Sequence, residues 1–307
     1  MSVEGALDDL REGSAAAVAR AVAALESAAR DGEAEASRHL ATLAAAGVGL
    51  PQSWARSLVH LYAAARGGSP SARGQLKVLA AGGPPTHADE DNPAYWRGLS
   101  ARVHIEDWLK PCEKRVLNAA PRVVAIAGFL PFEVCDWIIR RADGRLTPAL
   151  VYATDGVATQ ASGSRSNSAL ELGITDCDVV VLLVRQRIAA TIGVPAGALE
   201  TSQVLHYAAG EQYARHFDYL DPALPDVAER GQRIVTFLVY LNHAFEGGET
   251  EFPRLGLKHR GGTGDALYFG NLGSDGAPDT QTLHAGLPPT SGEKWLFSQW
   301  IRNQARV

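Results

Sequence analysis

The sequence predicts an α+β protein, with a helical region first and an antiparallel barrel or jelly roll after it. Three observations carry that expectation. Residues 28–44 (AARDGEAEASRHLATLA) and 64–80 (AARGGSPSARGQLKVLA) repeat at an offset of 36, aligning Ala28 with Ala64 and Leu40 with Leu76. Residues 80–93 (AAGGPPTHADEDNP) are dense in Gly, Pro and acidic residues, the composition of a linker. Beyond them, SQVLHYA, RIVTFLVYLN, DALYFG and KWLFSQWIR are short, rich in β-branched and aromatic residues, and parted by turn residues.

Within the repeat, small residues and leucines recur at three and four, so each copy reads as amphipathic helices that stack on neighbours. The pattern resembles helical-hairpin repeats related to the tetratricopeptide class. Two units fall short of the roughly three that sustain a repeat array alone, which makes this region an appendage to the β-rich remainder of the chain. The partition expected is a helical repeat domain over 1–90, a connector over 91–120 and a β-rich domain over 121–307. Residues 94–109 (AYWRGLSARVHIEDWL) fit helix or connector equally. From Pro121, RVVAIAGFL reads as a strand, PFEVCDWIIRRA as a helix, and TDCDVVVLLVRQRIAATIG as a second helix with its apolar residues on one side.

Composition narrows the function classes. The 307 residues are 46% hydrophobic and 21% charged, and no stretch approaches the ~20 apolar residues of a membrane helix. No membrane partner is expected. The N-terminal MSVEGALDDLREG lacks the basic and apolar regions of a secretion signal, and Cys112, Cys135 and Cys177 fit neither a disulfide framework nor a clustered zinc site. A cytoplasmic protein with reduced cysteines is expected. With a net charge of −5 and no basic run interleaved with aromatics, nucleic acid is not an expected partner either.

The chemistry centres on GEQYARHFDYL. On an extended strand His216 and Asp218 point to one face and Phe217 to the other, giving a nitrogen and an oxygen donor together. His-x-Asp alone is a weak signal, and a third ligand is needed. His284, in TLHAG just before the last strand, is the candidate. Two histidines and one carboxylate that leave positions open suit non-haem iron(II), although zinc accepts the same donors. In GEKWLFSQWIR, Lys294, Leu296, Ser298, Trp300 and Arg302 share a face. A cation inside a barrel is costly unless it meets an anion, and a dicarboxylate co-substrate supplies one.

Residues 122 to about 303 resemble the prolyl 4-hydroxylase-like branch of the 2-oxoglutarate- and iron(II)-dependent oxygenases. Four blocks carry the likeness in order: VLHYAAGEQYARHFDYLDP, RIVTFLVYLNHAFEGGETEFP, GDALYFGN and TLHAGLPPTSGEKWLFSQWIR. The resemblance implies a double-stranded β-helix (jelly roll) catalytic domain, with His216, Asp218 and His284 as iron ligands. It implies Lys294 and Tyr207 on the far carboxylate of 2-oxoglutarate, Thr250 in the same pocket, Trp300 beside the iron, and Arg233 facing substrate. Fe(II), 2-oxoglutarate and O2 are implied as cofactor and co-substrates, with ascorbate as a candidate reductant. The chain departs from the pattern in RGGTGDALYF, where relatives often carry a proline before the glycine and aspartate, and the N-terminal repeats lie outside the catalytic core.

The implied reaction is hydroxylation of an unactivated carbon with release of succinate and CO2. Asp218 favours hydroxylation over halogenation, because related halogenases replace that carboxylate with a small residue. The family points to proline-like substrates. A free amino or imino acid such as proline or pipecolate is favoured here, with Arg233 serving its carboxylate, and a prolyl peptide or protein is the alternative. Plainer readings stand beside these: Tyr207 and Trp300 as core aromatics, Thr250 as a strand residue, Arg233 in a surface ion pair, the other histidines as structural or solvated. A non-catalytic interaction protein that uses its helices for protein contacts or a homo-oligomer, and a zinc hydrolase on a jelly roll, are the readings from other classes.

Overall fold

The computed structural model describes residues 2–80, 90–152, 159–160 and 164–305. These divide into two compact units, one of Met1–Lys110 with Leu172–Arg187 and one of Pro111–Glu171 with Ile188–Val307. The division by contact therefore runs past residue 90 and returns a later segment to the helical unit. Most of the linker expected over 80–93, residues 81–89, lies outside the described residues.

The helical unit begins with α1 (Val3–Glu12), α2 (Ala15–Arg30), α3 (Ala34–Ala46), α4 (Trp54–Arg66) and α5 (Pro70–Leu79). Ser2, Ser14, Ser53 and Ser69 each cap a helix by accepting a bond from a backbone N–H three residues on. Ala6, Leu10, Ala21, Leu25, Ala36, Leu40 and Leu43 form one buried cluster. The offset of 36 aligns the α2–α3 turn with the α4–α5 turn, and the two turns close with matching bonds. Gly32 donates to Ala29 O and Glu33 to Ala28 O; Gly68 donates to Ala65 O and Ser69 to Ala64 O. The repeat in sequence is thus a repeat of one helix–turn–helix. The ambiguous stretch over 94–109 is helical, as α6 (Pro93–Ala101) and α7 (Ile105–Trp108).

The second unit opens with β1 (Arg115–Asn118), β2 (Val123–Ile126) and α8 (Phe132–Ala142), then β3 (Thr147–Pro148), β4 (Val151–Tyr152), β5 (Thr159–Gln160) and β6 (Ser168–Leu172). Helix α9 (Val179–Ile192) corrects one expectation. Val179, Val180, Val181, Leu183 and Val184 are all buried, and five such positions cover far more than one face at 100° per residue. The apolar residues therefore run round the helix rather than along one side. Its first N–H groups are capped by Gln75 Oε1, 3.0 Å from Val179 N, and by Asp178 Oδ1, 2.9 Å from Val181 N.

The remaining strands are β7 (Ser202–Tyr207), β8 (Tyr213–His216), β9 (Arg233–Tyr240), β10 (Phe245–Gly247), β11 (Thr250–Phe252), β12 (Leu257–His259), β13 (Ala266–Gly270), β14 (His284–Gly286), β15 (Pro289–Gly292) and β16 (Lys294–Arg302), with α10 (Pro225–Arg230) between β8 and β9. One sheet runs in the order β1-β2-β13-β9-β16-β7-β6-β3 and a second in the order β12-β11-β14-β8. Tyr207, Leu238, Tyr240, Phe269 and Leu296 of the first sheet pack with Phe252 of the second in one buried core. This is the expected jelly roll, its two sheets face to face. His284 starts β14 instead of preceding the last strand, since β15 intervenes.

In RGGTGDALYF, where the sequence departs from the family pattern just before Gly264, the structure shows why that glycine is needed. Gly264 has φ +84°, and a Cβ built there would sit 2.1 Å from Leu130 O. The same backbone accepts the Leu130 N–H at 2.9 Å, tying the β2–α8 turn to the start of β13. Replacing Gly264 by Ala should destabilise the protein by about 1–3 kcal/mol from the left-handed backbone alone. Thermal melts of Gly264→Ala beside wild type check this; an unchanged Tm would contradict it.

Candidate active site

The second sheet brings the two histidines together by register: His284 on β14 is the cross-strand partner of His216 on β8. Their Nδ1 atoms lie 2.7 Å from Ala214 O and 3.0 Å from Thr282 O respectively. A carbonyl can only accept, so each Nδ1 carries the proton and each Nε2 turns its free position inward. Asp218 lies two residues past the end of β8 with its Oδ1 3.5 Å from His216 Nε2 and its Oδ2 3.3 Å from His284 Nε2. One ligand atom from each of the three residues falls within 4.8 Å of the others. Burial alone would raise the Asp218 pKa, but the imidazoles of His284 and His216 hold it well below the ordinary carboxylate value.

Facing this triad across the core is the inner row of the first sheet. Lys294 pairs in register with Tyr207, Leu296 with Leu205, and Trp300 with Thr236. Together with Thr250 and the triad they line a cavity holding about 440 Å³ of space that runs out to solvent. Lys294 is 0% exposed, and its ammonium reaches only one hydrogen-bond acceptor among the described residues, Gly248 O at 2.9 Å. Its Nζ stands 4.3 Å from the Tyr207 ring centroid. Burial pushes the Lys294 pKa down to about 7, with Glu249 opposing part of the shift. The Tyr240 hydroxyl donates to His259 O, so at the 3.1 Å Thr250–Tyr240 contact Thr250 is the donor and its lone pairs are left to the cavity.

Arg233 does not reach this cavity. Its Nε and Nη2 bind Glu200 Oε1 and Oε2 at 2.7 and 2.9 Å, and its guanidinium lies flat 3.6 Å from the Trp300 ring centroid. The substrate-facing role expected for it has no geometric support here, because the guanidinium is committed to a carboxylate behind Trp300. Arg302 is not among the lining residues either, although alternation put it on the inner face. Pairing slips between Ile301 and Arg302, and Arg302 joins Arg233 on Glu200 at 2.6 Å. Burial alone would raise the Glu200 pKa; the two guanidiniums more than offset this and hold it low.

Several lining residues escape strand alternation. Tyr213 is three before His216, yet both face the cavity and their rings stack at 3.5 Å. The register explains this: Gly286 pairs with Tyr213 and His284 with His216, so three residues of β8 span two of β14. That bulge turns Tyr213 inward. Arg165 also lines the cavity, buried, its guanidinium 4.6 Å from the Tyr213 ring centroid and bonded to Asn167 Oδ1 and Leu150 O, both at 2.9 Å. No motif marks Arg165, whose place depends on a bridge to Tyr213 from far away in sequence.

Two imidazole nitrogens and a buried carboxylate, with a buried cation across the cavity, fit a divalent metal and an anionic co-substrate. The family model of the 2OG-Fe(II) oxygenase superfamily matches residues 202–302, the segment that carries the triad, Lys294 and Trp300. The chain belongs to the 2-oxoglutarate- and iron(II)-dependent oxygenases, a family of oxidoreductases. Curated relatives in it include two probable prolyl 4-hydroxylases of Arabidopsis thaliana. One is 34% identical over 210 residues, covering 62% of this chain and 66% of the relative. The other is 32% identical over 207 residues, covering 62% and 72%. A solved viral collagen prolyl hydroxylase from Paramecium Bursaria Chlorella virus-1, in complex with 2OG, is 29% identical with a TM-score of 0.46, covering 59% of this chain and 95% of that one.

The buried charges make two measurable differences. Binding of the 2-oxoglutarate dianion favours the ammonium form of Lys294, so at about pH 8 complex formation should take up close to one proton, and at about pH 6 almost none. Calorimetry in buffers of different ionisation enthalpy reads this directly, and Lys294→Met should abolish the difference. Glu200 is depressed in the folded state, so its contribution is present above its unfolded pKa near 4.5 and is lost as pH falls through the lower folded value. Glu200→Gln should therefore cost on the order of 3 kcal/mol near neutrality, as breaking a buried pair does. In denaturant titrations the gap from wild type should narrow below about pH 4.5.

Proposed function

We propose that the protein hydroxylates prolyl residues within a peptide or protein chain, using Fe(II), 2-oxoglutarate and O2. The observation that carries the reaction class is the triad of His216, Asp218 and His284 set across one cavity from the buried ammonium of Lys294. His216, Asp218 and His284 would hold the iron; Lys294, with Tyr207 and Thr250 beside it, would hold the far carboxylate of 2-oxoglutarate. Bound iron supplies the oxidising step, in which 2-oxoglutarate is converted to succinate and CO2 and one oxygen atom enters a substrate C–H bond. The protein's share is orientation. Leu205, Leu238 and Leu296 keep the cavity wall apolar, while Trp300 offers a flat aromatic surface that suits a pyrrolidine ring.

Charge matching favours a peptide over the free amino acid first expected. A free amino acid brings a carboxylate and an ammonium into the cavity, and each needs a partner. Arg233, meant for the carboxylate, is taken by Glu200, which leaves Arg165 as the lining guanidinium for that end, so the ammonium decides. Among the described lining residues Asp218 is the sole carboxylate, and it belongs to the triad, so no acid remains for an ammonium. A prolyl residue inside a chain carries neither charge. The relatives' names, which are those of prolyl 4-hydroxylases, point the same way.

The test is an incubation of the Fe(II)-loaded full chain with 2-oxoglutarate and air, offering proline-rich peptides beside free proline and pipecolate. Succinate matched by a one-oxygen mass gain on a peptide, lost in His216→Ala, is the expected result. A gain on a free amino acid alone would restore the first substrate choice. Absence of succinate under all conditions would reject the oxygenase reading.

A further inference from the structure

The triad's Asp218 ends a hydrogen-bond chain through Thr236 and Asn271, two residues to which the sequence reading assigns no role. Asp218 Oδ2 accepts from the Thr236 hydroxyl at 2.7 Å, and Asn271 Nδ2 donates to Thr236 Oγ1 at 3.1 Å. Thr236 is 2% exposed and Asn271 0%. Both stand on rigid backbone: Thr236 sits in mid-β9 between Trp300 on β16 and Phe269 on β13, and the Asn271 N–H donates to Ile234 O at 2.9 Å.

The directions of these bonds are set by the protons available. A threonine hydroxyl has one proton, and an ionised carboxylate can only accept it. The group that Asn271 turns to Thr236 must then be the amide NH2. That orientation leaves Asn271 Oδ1 buried without a hydrogen-bond partner. Buried acceptors are rarely left so, and one that persists calls for a reason outside packing.

We infer that Thr236 and Asn271 are positioning residues that commit Asp218 Oδ2 to the protein and so present the carboxylate to the metal through Oδ1. The inference rests on the oxygenase reading. Its use is plain: a carboxylate that bound through both oxygens would occupy a position needed by the co-substrate or O2. Thr236 and Asn271 touch no reacting atom; they act through Asp218.

Metal binding without turnover tests this, with Co(II) titrated into the full chain in the absence of 2-oxoglutarate and followed by visible d–d absorption. Thr236→Val keeps the shape and removes the donor; Co(II) affinity should fall about 10- to 100-fold, the usual range for losing such a partner, with altered bands. Thr236→Ser keeps the hydroxyl and should bind like wild type. Asn271→Asp is nearly isosteric but turns an acceptor toward Thr236, which draws the hydroxyl proton from Asp218, so it should weaken Co(II) as Thr236→Val does. Circular dichroism melts without metal establish that each variant is folded, and if Thr236→Val does not fold, Asn271→Asp decides. A folded variant of either kind with wild-type Co(II) affinity and spectrum would overturn the inference. A wild type that binds no Co(II) would instead overturn the oxygenase reading beneath it.

Discussion

The pairing of β8 with β14 is the constraint on which the site depends. It sets His216 directly against His284, residues that the sequence keeps far apart, and it does so through backbone bonds instead of side-chain contacts. Everything else in the triad is local: Asp218 comes two residues after His216, and each histidine fixes its own tautomer on a carbonyl two residues earlier. A slip of one residue in that pairing would turn the imidazoles to opposite faces. The bulge beside it takes one extra residue of β8 and brings Tyr213 to the same cavity.

Much of this was legible in the sequence because it depends on short-range periodicity. The row Lys294, Leu296, Ser298 and Trp300 follows the alternation of a strand and lines the cavity; His216 and Asp218, two apart, line it together as well, although Asp218 lies past the end of β8. What could not be read depends on exceptions to that rule or on distant partners. Tyr213 needed knowledge of a bulge. Arg302 left the inner row because β9 carries an extra residue opposite it. Arg165 and Glu200 sit outside any motif, and the fate of Arg233 was set by Glu200, a lone acidic residue thirty-three positions earlier. Helix α9 misled for another reason: a run of valines and leucines looks one-sided when only its spacing is counted, whereas burial shows nearly every side covered.

Two kinds of buried charge hold this cavity, and they differ in what they are for. Glu200 and Asp226 satisfy Arg233 and Arg302 between them, so that two carboxylates match two guanidiniums within the fold and stiffen the wall behind Trp300. Lys294 is the opposite case. It is as deeply buried, yet its hydrogen bond goes to a backbone carbonyl, and the carboxylate nearest in effect, Glu249, raises its pKa only in part. A cation left in that state costs stability in the free protein and returns it to whatever anion enters.

That arrangement has a consequence for the end of the catalytic cycle. Succinate retains the very carboxylate of 2-oxoglutarate that Lys294 would grip, so the lysine does not distinguish spent co-substrate from fresh. Discrimination falls on the other end of the molecule, where 2-oxoglutarate carries a keto oxygen beside a carboxylate and succinate a carboxylate alone. Succinate would then compete with 2-oxoglutarate for the one ammonium group of Lys294.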